Sequence, residues 1–278
     1  MTNRIGIIFL VLVLPLFLSA CAGSGISSSK TIPRLSVNSF DQTDRLPVRV
    51  WMPETEPVEK AVILLHGCSG WYGGNIKLWA DWFGKQRFLA LAVDSNSPRN
   101  ITRDCHFMAK VSEKSRAIDA YSALSYLVNE RNIDPEKVVI MGFSRGAASA
   151  VQAMQPDLWR ANFESSQPKF AGSIAFYPEC LNMPRSLYGP VQVIIGSEDD
   201  WTYASHCTHW RTLVEDGAQT LDVHVIEGAT HSFDQFTWRG QRVGSRTYLG
   251  QRLTPSGSAT NEAKTVVAGF LERVGLAQ

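Results

Sequence analysis

The 278-residue chain carries 27 Lys and Arg against 26 Asp and Glu, which gives a formal net charge of +1. No basic patch stands out, so composition excludes a general polyanion partner, and no nucleic-acid partner is expected. The roughly 250 residues that follow an N-terminal leader are a normal length for a single α/β domain.

The leader has the pattern of a bacterial export signal. Arg4 precedes an apolar run at 5–18, which is too short and too interrupted by proline to be a good membrane-spanning helix. The ending Leu18-Ser19-Ala20-Cys21 resembles a lipoprotein box, and this resemblance implies cleavage before Cys21 and lipidation of that residue. An ordinary secretory signal is the alternative.

Ala22, rather than Asp, follows Cys21, which in lipoproteins of this kind implies sorting to the outer membrane. The expected location is therefore the bacterial cell envelope, with the protein facing the periplasm and held at the membrane by several acyl chains. The Gly/Ser-rich residues after Cys21 predict a disordered tether. The expected organisation is a signal peptide at 1–20, a lipidated cysteine and tether at 21–40, and the main domain at 41–278.

Apolar runs alternate with helical patterns through the main domain. A continuous apolar run predicts a strand covered on both faces, and apolar positions at helical spacing predict the helices between strands. The predicted strands lie at 47–51, 60–65, 88–94, 138–141, 170–178, 191–196 and 221–226, the first being suited to a sheet edge. The predicted helices include one through Leu78 to Phe83 and others at about 112–131, after Ser144, and at about 203–216 and 261–274. This alternation predicts an α/β fold with a mostly parallel sheet and helices on both faces.

The pentapeptide Gly142-Phe143-Ser144-Arg145-Gly146 separates an apolar strand from a helix rich in small residues. A Gly-x-Ser-x-Gly sequence in that context predicts a strained turn with the serine hydroxyl exposed at its apex. The two glycines let the strand and the helix approach without Cβ clashes. A plain Gly-Ser turn is the alternative, but the flanking elements favour Ser144 as a nucleophile.

Further reactive side chains follow other strands, and the carboxyl ends of parallel strands meet at one edge of the sheet. Asp199 and His231 come after Ser144, in the order nucleophile, acid, base of the α/β-hydrolase fold. We predict that His231 takes the serine proton and that Asp199 fixes the imidazole tautomer. The backbone N–H groups of Cys68 and Arg145 are the predicted oxyanion donors.

Several rival residues have other predicted roles. Asp200 is a weaker alternative to Asp199, and Asp94 precedes the nucleophile and is expected to bind loop amides. His66 is expected to order the oxyanion loop, while His106 could reach the pocket. Helical or strand positions make His206, His209 and His224 poor candidates for the base. Cys68 is a poor candidate for the nucleophile.

Four cysteines remain when Cys21 is set aside, and an even number in an exported protein favours disulfides. Three pairings are possible. We favour Cys68–Cys105 and Cys180–Cys207, because each pair lies in loops that should meet above the same sheet edge. Free thiols are the alternative. Without a CxxC motif, a ligand cluster, a Walker loop or a GxGxxG motif, no metal site and no cofactor is predicted.

The chain resembles the dienelactone hydrolase family within the α/β-hydrolases. The resemblance covers about 49–274 and rests on His66-Gly67, the pentapeptide at 142–146, Gly196-Ser197-Glu198-Asp199, and His231-Ser232-Phe233. It implies an α/β-hydrolase fold and a small-molecule ester substrate. Founding members carry a cysteine nucleophile where this chain has Ser144, so the resemblance implies a more general serine esterase that works through an acyl-enzyme. Acyl transfer, amide cleavage and a non-catalytic binding lipoprotein are the alternatives.

The substrate is the least determined feature. Four aromatic residues lie in or near the loops expected around the pocket entrance: Trp71, Tyr72, Trp79 and Trp201. They indicate an apolar or aromatic substrate group, although Trp79 is better explained as a core residue. Arg145 either senses a substrate carboxylate or, more commonly, pairs with a local acid. Four arginines precede the last helix: Arg239, Arg242, Arg246 and Arg252. They predict a solvated loop, and the alternatives are a lid or a segment that faces anionic lipid headgroups.

Overall fold

A computed structural model describes residues 27–36, 43–71, 74–105, 110–215, 220–235 and 244–277. Several predicted features lie outside these residues: the signal peptide, Cys21, Tyr72, His106, Arg239 and Arg242. Within the described residues, no helix is both long and apolar enough to cross a bilayer.

An eight-stranded sheet forms the centre of the domain. Its strands are β1 (Ser27–Pro33), β2 (Arg45–Trp51), β3 (Lys60–Leu65), β4 (Phe88–Val93), β5 (Val138–Phe143), β6 (Gly172–Phe176), β7 (Val191–Gly196) and β8 (Leu221–Ile226). The spatial order is β1-β2-β4-β3-β5-β6-β7-β8. The pairs β1–β2 and β2–β4 are antiparallel and all the others are parallel. This is the predicted α/β-hydrolase fold, and the sheet brings the ends of β3, β5, β7 and β8 to one edge.

The helices are α1 (Gly74–Lys85), α2 (Glu113–Arg131), α3 (Arg145–Gln152), α4 (Pro156–Asn162), α5 (Ala204–Leu213) and α6 (Gly257–Arg273). The bounds of α2 agree with the prediction because its ends are marked in the sequence. Ser112 Oγ accepts a hydrogen bond from Ser115 N at 3.1 Å, and Asn132 ends the helix in the left-handed conformation at φ 51°. The prediction missed α4 and began α6 four residues late, because Ser256 caps α6 at its amino end.

The flexible tether predicted over 21–40, with disorder over 23–30, is wrong for Ser27–Pro33, which forms β1 along the whole of β2. Backbone pairing needs no apolar side chains, so a Ser-rich segment can add an edge strand. Ile32 is buried, and Arg34 Nε donates to Asp119 Oδ1 of α2 at 2.6 Å. The edge assignment of 47–51 is therefore wrong as well, since β1 covers that side of β2.

A short hairpin precedes α6, formed by β9 (Arg246–Tyr248) and β10 (Gln251–Leu253). The arginine-rich stretch was predicted to be a solvated loop: Arg246 and Arg252 are exposed as predicted, but these residues form strands instead of a loop. The backbone N–H of Arg252 donates to Asp200 Oδ1 at 3.1 Å, and the Trp201 and Tyr248 rings pack with centroids 5.6 Å apart. The hairpin therefore lies against the loop that follows β7.

Candidate active site

Ser144 occupies the sharp turn between β5 and α3, at φ 53° and ψ −118°. A Cβ on Gly142 would lie 2.1 Å from Gly146 O, and a Cβ on Gly146 would lie 2.3 Å from Leu65 O. Both positions therefore require glycine. Ser144 N donates to Phe176 O at 2.8 Å, which ties the turn to the end of β6. The predicted strained turn is confirmed.

The structure brings together the three residues that the sequence places after different strands. His231 Nε2 lies 3.1 Å from Ser144 Oγ, and His231 Nδ1 lies 2.8 Å from Asp199 Oδ2. Asp199 and His231 are both buried. Asp200, the rival acid, instead accepts the backbone N–H of Arg252. This chain of contacts can move a proton from a serine hydroxyl to an imidazole held by a carboxylate.

Thr202 completes the surroundings of Asp199, and the sequence analysis missed it. Thr202 N and Trp201 N donate to Asp199 Oδ1 at 2.8 and 3.0 Å. Thr202 Oγ1 donates to Asp199 Oδ2 at 2.9 Å and lies 3.1 Å from His231 Nδ1. A carboxylate with a threonine three residues later is a local turn pattern that sequence reasoning could have found.

A second buried carboxylate lies behind the histidine and was also missed. The Tyr177 ring packs against His231 at 4.7 Å between centroids, and Tyr177 Oη donates to Asp234 Oδ1 at 2.6 Å. Trp79 Nε1 donates to Asp234 Oδ2 at 2.8 Å. Burial raises the pKa of Asp234 above its ordinary value. Trp79 is core, as favoured from the sequence, and no local pattern marks its contact with Asp234.

The loop after β3 lies directly beside Ser144. A Cβ on Gly67 would come within 3.7 Å of Ser144 Cβ, and the next residue, Cys68, forms a disulfide with Cys105. The other disulfide joins Cys180 to Cys207, so both favoured pairings are confirmed.

His66 supports this loop from below as a neutral ring. Ser95 N donates to His66 Nε2 at 3.2 Å, so the ring proton is on Nδ1, which lies 2.6 Å from Gly67 O. Burial lowers the pKa of His66, in keeping with the neutral form.

Asp94 binds loop amides, as expected. Its Oδ1 accepts the backbone N–H groups of Asn96 and Ser97 at 2.9 and 3.1 Å. Burial alone would raise the pKa of Asp94, but the nearby His66 ring and the hydrogen bonds that Ser97 donates through its backbone N–H and its hydroxyl lower it to about 2.

Asp104 connects the two residues predicted to supply oxyanion donors. Asp104 N donates to Cys68 O at 2.8 Å, and its carboxylate lies 3.9 Å from Arg145 Nη1. The same guanidinium lies 3.3 Å from Glu113 Oε1. Arg145 therefore pairs with local acids, the commoner of its two predicted roles.

A pocket of about 600 Å³ opens over Ser144. One wall follows α3, another is the segment after the Cys180 disulfide, and a third comes from Trp201 and the β9–β10 turn. Its apolar lining includes Ala148, Leu181, Met183, Trp201 and Leu249, and its polar lining includes Glu113, Arg145, Gln152 and Glu179.

His206, His209 and His224 have other surroundings than the Ser144–His231–Asp199 cluster. His206 is 3.2 Å from Glu179 on the surface, His209 is on α5, and His224 is 2.7 Å from Glu262. Trp71 is not a lining residue of this pocket; the Arg49 guanidinium lies 5.2 Å from its ring.

A sequence profile of the dienelactone hydrolase family matches residues 46–242, more than half of the chain. The chain belongs to the dienelactone hydrolase family. Membership identifies this protein as a hydrolase, in agreement with the resemblance drawn from its motifs. A search of curated protein sequences returned no significant match.

Solved structures of an esterase and of a candidate dienelactone hydrolase share the fold of this chain. Esterase 2 of Thermogutta terrifontis, phosphoramylated by tabun, has a TM-score of 0.65 at 17% identity and covers 90% of this chain and 96% of its own. Its propionate-bound form has a TM-score of 0.63 at 17% identity, covering 88% and 96%. A candidate dienelactone hydrolase from Klebsiella pneumoniae has a TM-score of 0.66 at 15% identity, covering 89% and 98%. At these identities the comparison shows the α/β-hydrolase fold alone.

Proposed function

We propose that this protein is a serine hydrolase that cleaves small-molecule carboxylic esters through an acyl-enzyme on Ser144. The observation that carries the proposal is the position of His231, with one ring nitrogen 3.1 Å from Ser144 Oγ and the other 2.8 Å from Asp199 Oδ2. Membership of the dienelactone hydrolase family supports the same class of chemistry.

The first half-reaction forms the acyl-enzyme. As Ser144 Oγ attacks the ester carbonyl, its proton passes to His231 Nε2, and the buried Asp199 carboxylate stabilises the imidazolium. His231 then returns the proton to the leaving alcohol as the carbon–oxygen bond breaks. In the second half-reaction, water attacks the acyl carbon and His231 takes one of its protons. His231 then returns this proton to Ser144 Oγ as the bond between the acyl carbon and Oγ breaks, which releases a carboxylic acid and restores the serine hydroxyl.

Charge on the carbonyl oxygen must be stabilised while the tetrahedral intermediate exists. The backbone N–H groups of Cys68 and Arg145 are the proposed donors, since the Cys68 loop lies beside Ser144 and Arg145 begins α3. The amino end of α3 adds a favourable dipole at the same point.

The esters favoured are those whose acyl and alcohol groups fit a largely apolar pocket. Thermogutta terrifontis esterase 2, which shares this fold, has been captured with propionate, with butyrate and with organophosphorus groups. Those ligands support a carboxylic ester as the substrate class here.

A fluorophosphonate probe tests the nucleophile. We expect the wild-type protein to be labelled, Ser144→Ala to be unlabelled, and the exposed-serine control Ser205→Ala to be labelled like the wild type. A panel of p-nitrophenyl esters should then be hydrolysed by the wild type and not by Ser144→Ala. Labelling that persists in Ser144→Ala would overturn the assignment, and a wild-type protein that neither labels nor hydrolyses would support the binding-lipoprotein alternative.

We also propose that lipidated Cys21 anchors the protein at the outer membrane, facing the periplasm. Two disulfides suit that oxidising compartment. Because β1 is antiparallel to β2, and β2 is antiparallel to β4, β1 starts toward the sheet edge opposite Ser144. The anchor would therefore leave the pocket facing the aqueous side. The test is detergent phase partitioning: we expect the wild type in the detergent phase and Cys21→Ser in the aqueous phase.

A further inference from the structure

One wall of the pocket is a single helix face that begins at the nucleophile. Ser144, Ala148 and Gln152 are four residues apart, and all three line the pocket. Positions at this spacing share one face of a helix. With a rise of 1.5 Å per residue, Gln152 lies about 12 Å along the helix axis from Ser144. The pocket therefore has an elongated arm that ends at a polar side chain.

The amide at the end of this arm is not satisfied within the protein. Gln152 Oε1 is shielded from solvent and has no hydrogen-bond partner among the described residues. A buried amide oxygen without a donor is unfavourable, and a rotation of the side chain toward a ligand in the arm would satisfy it. By contrast, the charged lining residues already have partners: Arg145 lies 3.3 Å from Glu113, and Glu179 lies 3.2 Å from His206.

The acyl part of the ester is the part that fits this arm. The leaving alcohol must lie next to His231, which returns the proton to it, and Trp201 packs on that ring at 5.0 Å between centroids. The acyl chain extends to the other side of the carbonyl carbon, along α3. Ala148 leaves room for the chain, and Met183 is an apolar lining residue of the same pocket.

We propose that Gln152 is a specificity-determining residue that hydrogen-bonds a neutral donor at the far end of the acyl chain. The substrate class is then a medium-chain ester whose acyl group carries a hydroxyl or amide N–H about eight bonds from the carbonyl, because the Gln152 side chain leans back toward the amino end of α3 and shortens the roughly 12 Å between the two backbones. The inference rests on the proposed esterase function and deepens it.

The test compares p-nitrophenyl 8-hydroxyoctanoate with p-nitrophenyl octanoate, two esters that differ only by the terminal hydroxyl. We expect wild-type kcat/KM to favour the hydroxy ester by roughly tenfold, the size of one neutral hydrogen bond in a shielded site. Gln152→Leu should lose that preference or reverse it. Fluorophosphonate labelling and thermal unfolding verify that each variant is folded.

Gln155→Leu is the matched control. Gln155 also has a shielded side-chain oxygen without a partner among the described residues, but it does not line the pocket. Its variant should keep the wild-type preference. Equal kcat/KM for both esters in the wild type, or the same loss of preference in both variants, would overturn the proposal. Hydrolysis of neither ester by the wild type would instead count against the esterase function itself, so the two failures are distinguishable.

Discussion

The two disulfides should contribute alike to stability and differently to catalysis. Cys68–Cys105 joins positions 37 residues apart, and Cys180–Cys207 joins positions 27 residues apart. In the chain-entropy treatment these loops correspond to about 4 and about 3.5 kcal/mol of stability. We therefore expect the double variants Cys68→Ser/Cys105→Ser and Cys180→Ser/Cys207→Ser to lose similar free energies of unfolding in urea titrations.

Their turnover numbers should separate them. Removing one oxyanion donor altogether lowers kcat by about 100- to 1,000-fold. Opening the Cys68 disulfide loosens the donor without removing it, because Asp104 N still donates to Cys68 O at 2.8 Å. We expect roughly a tenfold fall in kcat for that variant. The Cys180 variant should change KM more than kcat, because that disulfide precedes the pocket wall at Leu181 and Met183.

The assay is p-nitrophenyl acetate hydrolysis at a temperature where both double variants remain folded by circular dichroism. Equal losses of kcat in the two would refute the idea that the first disulfide steadies the oxyanion loop. An undiminished kcat in the Cys68 variant would refute it equally.

Three further results are expected. Thr202→Val removes the hydroxyl that donates to Asp199 Oδ2 at 2.9 Å, so kcat should fall about tenfold with little change in KM, as steady-state kinetics would show. Gly196→Ala should fail to fold or lose several kcal/mol of unfolding free energy in urea titrations, because its Cβ would lie 2.0 Å from Ala229 O. Gly269→Ala should instead raise the free energy of unfolding by up to about 1 kcal/mol, because Gly269 lies in α6 and its Cβ would have no atom within 4 Å. Asp94→Asn is tested by the pH dependence of the free energy of unfolding. The pKa of Asp94 is lowered from 3.8 to about 2, so its carboxylate stabilises the fold above pH 4, and that stabilisation is lost as the pH falls toward 2. The stability difference between wild type and Asp94→Asn should therefore be about 2 kcal/mol near pH 5 and should shrink on acidification, and a difference independent of pH would contradict the assignment.

Features that depend on local pattern were predictable from the sequence. The bounds of β3 follow from a continuous apolar run and those of β7 and β8 from runs rich in Val and Ile, and the turn at Ser144 follows from glycines where a Cβ has no room. The meeting of Ser144, Asp199 and His231 follows from parallel strands, whose carboxyl ends must share an edge. Each of these inferences needs only neighbouring residues and one rule of topology.

Features that depend on contacts between distant segments were not predictable. Ser27–Pro33 becomes a strand because β2 offers an unpaired edge, although its own composition favours a tether. Asp234 is satisfied by Tyr177 and Trp79, which belong to other parts of the chain. A single sequence carries no sign of such pairings, because the energy comes from the partner and not from the residue itself.

The same difference between local and long-range contacts separates the turn at Ser144 from the pocket walls that select a substrate. The backbone strain at Ser144 is held by the hydrogen bond to Phe176 O and by the close approach of Gly146 to β3, both parts of the rigid sheet. Two of the pocket walls come instead from connecting segments, namely the β9–β10 turn and the residues after Cys180, beside the wall that α3 provides. Changes in those segments alter the space for the acyl and alcohol groups and leave the contacts of His231 in place. The residues of the candidate site were therefore readable from the sequence, whereas substrate selectivity also depends on loops whose positions only the folded chain defines.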